Sequence, residues 1–114
     1  MTNDARTALE AERERALDRL SGLERDFASS VDATAVANTD DEHDPEGVTL
    51  AYERQHVASH ISHARDQLAE IDEALARVDA GSYGTCTGCG RPIPAGRLAA
   101  RPTATTCVEC AGRP

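Results

Sequence analysis

Two short cysteine pairs constrain this chain more than anything else in it. Cys86-Thr87-Gly88-Cys89 and Cys107-Val108-Glu109-Cys110 are C-x2-C knuckles with seventeen residues between them. That spacing lies in the range of a four-thiolate zinc site, where each tight turn presents two sulfurs to one ion. Gly88 and Gly90 are expected to supply the backbone freedom such a turn needs. With four thiolate donors no coordination position is left open for water. The pattern therefore predicts one structural Zn²⁺ held by Cys86, Cys89, Cys107 and Cys110. The alternatives are a pair of disulfides or a redox thiol pair. The lack of a secretory segment and of further cysteines argues against both.

The rest of the chain has to fold with little bulk. In 114 residues the only aromatics are Phe27, Tyr52 and Tyr83, and there is no Trp. A thick globular core is not available to such a sequence. A metal staple and a long helix pair both compensate, one through ligand bonds and one through a one-dimensional seam. Ala, Glu, Asp, Leu and Arg dominate, which suits long helices.

Residues 3 to about 37 read as one helix. Leu9, Ala16, Leu20, Leu23 and Phe27 lie on a stripe of three–four spacing. Arg13, Ser30 and Thr34 share that stripe and weaken it, and Gly22 inside it costs about 1 kcal/mol relative to Ala. Residues 45–79 form a second helix with a cleaner pattern. Leu50, Arg54, Val57, Ile61, Ala64, Leu68, Ile71, Leu75 and Val78 alternate by four and three without a slip. This is a heptad seam. Gly81 follows the last seam residue as a natural helix stop. Two such helices joined by a short turn predict an all-α fold, a long antiparallel coiled-coil hairpin with arms of about 50 Å. The coiled coil takes residues 1–80 and the cysteine finger residues 81–114. Leu20, Phe27, Ile61, Leu68 and Leu75 are expected to be buried between the helices.

The turn, residues 38–47, carries five acids between Asp40 and Glu46: Asp40, Asp41, Glu42, Asp44 and Glu46. Asp44-Pro45-Glu46 also starts a helix well, with Asp at the cap and Pro in the first turn. Charge runs are usually solvated faces. Adjacent carboxylates repel unless a cation or basic partner waits for them. A set of them at the far end of a hairpin is therefore also a candidate contact.

The stretch around the cysteines is more specific than their spacing. Gly81-Ser82-Tyr83-Gly84-Thr85-Cys86, Cys89-Gly90-Arg91-Pro92-Ile93, Arg97-Leu98, Arg101-Pro102-Thr103-Ala104 and Cys107-Val108-Glu109-Cys110 closely resemble the DksA/TraR C4-type zinc-finger family. The resemblance is dense over residues 81–110 and looser over the helices before them. It implies a bacterial regulator of transcription that binds RNA polymerase and not DNA. In that family the coiled-coil tip enters the secondary channel of the polymerase and points acidic side chains at the catalytic region; the Gre transcript-cleavage factors share the architecture. The family tip commonly reads Asp-x-x-Asp-x-Ala. Here Asp41-Glu42-His43-Asp44 keeps the spacing and Glu46 replaces the alanine.

Arg91, Arg97 and Arg101 give the finger a basic surface. They could hold carboxylates or a phosphate bidentately, or simply balance a dianionic four-thiolate zinc centre. In DksA the alarmone ppGpp is bound with basic residues of finger and coil. Arg101 matches one such position, but the other two carry Glu70 and Ala111, which argues against ppGpp dependence.

The formal net charge of −8 also argues against non-specific nucleic-acid binding. No apolar run approaches the ~20 residues of a membrane span, so the expected location is the cytoplasm. A monomer is expected. No phosphate loop or nucleophile elbow is present, so the chain does not read as an enzyme. His56, His60 and His63 share one face of the second helix. Two of them have metal spacing, yet a solvated face is the plainer reading. The competing function is a zinc-stapled coiled-coil adaptor, or a redox or metal-stress sensor without a polymerase role.

Overall fold

A computed structural model of the chain describes residues 2–37 and 45–112. Two long helices dominate: α1 (Thr2–Ala37) and α2 (Pro45–Ala80), each of 36 residues. Two short ones follow, α3 (Ala95–Ala100) and α4 (Val108–Ala111). No strand forms among the described residues. The one sheet-like element is an isolated antiparallel bridge between Thr85 and Pro92. The all-α expectation holds.

The chain divides into two compact units, one of residues 1–14 with 68–114 and one of residues 15–67. In the first, α1 and α2 run antiparallel: Arg6 pairs with Asp79, and Arg13 Nε donates to Asp72 Oδ1 at 2.8 Å. Their seam buries Leu9, Ile71, Ala74 and Val78, while the finger buries Cys86, Ile93 and Ala104. In the second unit the direction is again antiparallel. Arg19 Nη1 donates to Gln67 Oε1 at 2.5 Å, and Arg65 approaches Glu24 at 3.6 Å. There Ala16, Ile61 and Ala64 are buried, and Leu20, Leu23, Phe27, Leu50 and Val57 are half-buried. Both partners of each ion pair are substantially exposed, so the apolar seam contributes far more than these pairs.

None of the nine predicted seam positions of α2 is exposed. Ile61 is buried as expected, but Leu20, Phe27, Leu68 and Leu75 are half-buried. A seam one side chain deep leaves the flank of a large residue open to water. Ala74 is fully buried and falls outside the predicted set. It lies three residues from Ile71 and four from Val78, so it shares their face. Arg13 interrupts the stripe of α1 with little cost because its guanidinium turns out to Asp72.

The end of α2 follows from one residue. Gly81 takes φ +78°, a conformation that costs a side-chain-bearing residue about 1–2 kcal/mol. This lets Gly81 N–H donate to Val78 O at 3.2 Å and Ser82 N–H to Arg77 O at 2.9 Å. The two bonds satisfy carbonyls the last helical turn would leave bare. The chain leaves the helix there and enters the finger. No helix among the described residues is long and apolar enough to cross a membrane.

Candidate metal centre

The sulfurs of Cys86, Cys89, Cys107 and Cys110 lie within 4.8 Å of one another. A regular tetrahedron with Zn–S bonds of ~2.3 Å has S–S edges of ~3.8 Å. The Cys86–Cys107 separation is 3.8 Å and the Cys89–Cys107 separation 3.9 Å. Two of the six edges thus match a zinc tetrahedron, and the four sulfurs are close enough for one ion to gather them.

Backbone hydrogen bonds build each knuckle. Cys86 N–H donates to Arg91 O at 2.8 Å, and Gly90 N–H returns to Cys86 O at 2.9 Å. Gly90 makes that return possible with φ +75°. Gly88 acts differently from expectation: its φ is not positive, and its contribution is space. A Cβ at position 88 would stand 3.0 Å from Cys110 Sγ and 3.1 Å from Cys110 Cβ. On the second knuckle, Cys107 precedes α4 and Cys110 lies inside it. Ala111 N–H donates to Cys107 O at 2.9 Å, which closes the turn. Thr87 N–H to Thr105 O at 2.9 Å ties one knuckle to the other.

The electrostatics fit a cation. Cys86 is 2 % exposed, and its sulfur accepts N–H bonds from Gly88 and Cys107 at 3.3 Å each. These donors, the Cys107 amide foremost, pull its pKa down to about 6. Cys110 moves the other way, to about 12, mainly through hydrogen bonding with the Cys107 thiol and then with Cys86. Four sulfurs this close together oppose one another's ionisation unless a positive charge stands beside them. A divalent ion removes that conflict and lets all four ionise. The finger is a C4-type zinc site with one structural Zn²⁺.

Side-chain ties hold the finger around the centre. Tyr83 Oη donates to Pro102 O at 2.8 Å, and burial pushes the Tyr83 phenol above its ordinary pKa while the Arg77 charge opposes the shift. Arg97 Nε donates to Thr106 O at 2.7 Å. Arg97 is thus partly a structural staple. It also lines a cavity of about 440 Å³ together with Arg77, Arg101, Glu70, Glu73 and Ala111. Arg91 stands elsewhere, beside Cys89, Cys107 and Cys110 in a cavity of about 410 Å³. The three predicted finger arginines therefore do not form one patch. Arg77 was not anticipated: in sequence it is one more charged residue at the end of a helix. Its Nη2 is buried without a hydrogen-bond partner among the described residues.

The predicted acidic tip residues Asp40, Asp41, Glu42 and Asp44 lie outside the described residues. Glu46 falls in the first turn of α2. His56, His60 and His63 are all exposed on α2.

Residues 81–114 match the family model described as the prokaryotic dksA/traR C4-type zinc finger. Over 49 residues the chain is 53% identical to an RNA polymerase-binding transcription factor DksA of Caulobacter vibrioides, covering 43% of this chain and 34% of that protein. A Bacillus subtilis protein, YteA, is 39% identical over 69 residues, covering 60% of this chain and 29% of the relative. The matches thus span about a third of the length of these curated relatives. Among solved structures, transcription factor DksA2 from Pseudomonas aeruginosa superposes with a TM-score of 0.82 at 27% identity, covering 96% of this chain and 79% of that one. The resemblance to the DksA/TraR family is borne out.

Proposed function

We propose that this chain, whose finger is of the DksA/TraR C4 type, is a regulator of transcription that binds RNA polymerase. The observation that carries the reading is the fold: nearly the whole chain superposes on a DksA2 transcription factor, both long helices included. The curated DksA relatives are named as RNA polymerase-binding. In this reading the paired helices enter the secondary channel, and the finger stays outside it against the polymerase. The acids Asp40, Asp41, Glu42, Asp44 and Glu46 then act at the catalytic region. Their influence on nearby cations and basic side chains is Coulombic and strengthens where water is excluded. The protein modulates the polymerase and has no reaction of its own.

The 440 Å³ cavity bears on ppGpp. Glu70, Arg101 and Ala111, the three positions the family resemblance points to, all line it. Of these three only Arg101 is basic, although Arg77 and Arg97 share the cavity, and the regulator is proposed to act without dependence on ppGpp.

The test uses purified core RNA polymerase and the zinc-loaded chain. The two are expected to co-elute on size exclusion without ppGpp, and a Gre-type factor is expected to displace this chain. Failure to co-elute, or co-elution unaffected by the competitor, sinks the channel reading. Capture of a different protein from lysate would favour the adaptor alternative.

A further inference from the structure

The geometry points to a second metal site, separate from the finger, in which His56 and His60 of α2 chelate a divalent late transition-metal ion. The two residues are one helical turn apart, in a helix continuous from Pro45 to Ala80. Residues four apart on a helix stand on one face about 5–6 Å apart at Cβ. The rings already lie along one another, with centroids 6.3 Å apart and planes tilted by 31°. Both residues are exposed. Among the described residues neither imidazole makes a hydrogen bond or ion pair, so the ring nitrogens are free to ligate.

The ring of His56 is also steadied from below. Tyr52, one turn earlier, meets it edge-on at a centroid distance of 4.7 Å. Two imidazole donors sharing one ion, each at ~2.0–2.1 Å, sit about 3 Å apart. The rings must close by about 1–2 Å from their present spacing, which takes a change in χ1 together with rotation about the Cβ–ring bond, a broad and soft torsion for histidine. His63 is seven residues from His56, two turns away, so the three cannot share one ion; it stands three residues from His60, and the observed ring contact favours His56 as the partner of His60.

Imidazole pairs suit Cu²⁺, Ni²⁺ and Zn²⁺, whereas carboxylate oxygens suit Mg²⁺ and Ca²⁺. With two protein donors the remaining coordination positions stay open to water or to a group from another molecule. The pair therefore binds metal reversibly, unlike the closed four-thiolate finger.

The test uses the zinc-loaded full-length chain carrying Tyr83→Phe, which leaves Tyr52 as the only tyrosine. Ni²⁺ is titrated and Tyr52 emission followed, because a paramagnetic ion at His56 lies next to that ring. Saturable quenching with one added equivalent of Ni²⁺ is expected. His56→Gln and His60→Gln should each raise the midpoint about tenfold or more, through loss of one of two donors. His63→Gln should shift it less than about twofold. Mg²⁺ should not quench. These exposed substitutions are expected to leave the far-ultraviolet circular dichroism unchanged, and that spectrum is recorded for each variant. Unsaturable quenching in the parent protein would overturn the assignment. So would an unchanged midpoint in His60→Gln, or a loss in His63→Gln as large as in the other two.

Discussion

Gly88→Ala tests the metal centre through a single methyl group. Position 88 has no positive φ, so the backbone accepts alanine. The obstacle is Cys110: the new Cβ would stand 3.0 Å from its sulfur and 3.1 Å from its Cβ. Comfortable carbon contacts begin near 3.5 Å, so roughly half an ångström must be found. The sulfur cannot yield it without stretching a bond of ~2.3 Å to zinc. The first knuckle must open, or Cys110 must leave its corner. Overpacking of this kind costs about 1–3 kcal/mol. If the cost falls on the zinc-bound state, affinity drops about 5- to 150-fold. Competition with a chromophoric chelator at fixed pH measures that directly. Gly96→Ala is the control: nothing lies within 4 Å of its Cβ, and it sits inside α3. Its zinc affinity should match the parent. If Gly88→Ala also binds zinc within about twofold of the parent, the close approach of the knuckles is wrong and the steric argument with it.

Other expectations follow from the seam, the metal and the tip. Ile71 is 1 % exposed, so Ile71→Ala should cost about 2–5 kcal/mol in urea unfolding. Half-buried Leu68→Ala should cost less, about 1–2 kcal/mol, and equal losses would contradict the burial pattern. Removing zinc with a chelator should raise amide exchange in residues 84–112 and leave the helical amides of 15–37 and 45–67 protected, since these belong to a different compact unit. Uniform loss of protection would show that the metal holds the whole chain. The double variant Asp41→Asn with Asp44→Asn keeps side-chain size and removes charge, and Asn caps helices about as well as Asp does. It should still co-elute with RNA polymerase while losing most of its effect in purified transcription. Loss of binding would make the tip an anchor, and full activity would make it a solvated turn.

Much of the fold could be read from the sequence because it depends on local periodicity. The nine-residue seam of α2, its stop at Gly81 and the two-residue spacing inside each knuckle all depend on neighbours within a turn or two. What escaped depends on residues distant in sequence. Arg77 becomes part of a cavity only when the finger folds back and brings Arg97 and Arg101 beside it. Gly88 reads as a flexible turn residue until Cys110, twenty-two positions on, is packed against it. The three finger arginines read as one basic surface because sequence proximity hides direction; the structure puts Arg91 in a different cavity. Ala74 stands beside Leu75 and off the strict four–three register, yet it is fully buried.

The uneven burial of the four sulfurs has a kinetic consequence. A tightly held ion leaves by ligand substitution, one bond at a time, and an incoming chelator has to reach it from solvent. Cys89 is the exposed ligand, whereas Cys86 is buried and secured by two amide donors. An incoming chelator would therefore meet the Cys89 sulfur first and the Cys86 sulfur last. Such a finger would hold its metal with one latch and one hinge, and the latch would set the speed at which it empties.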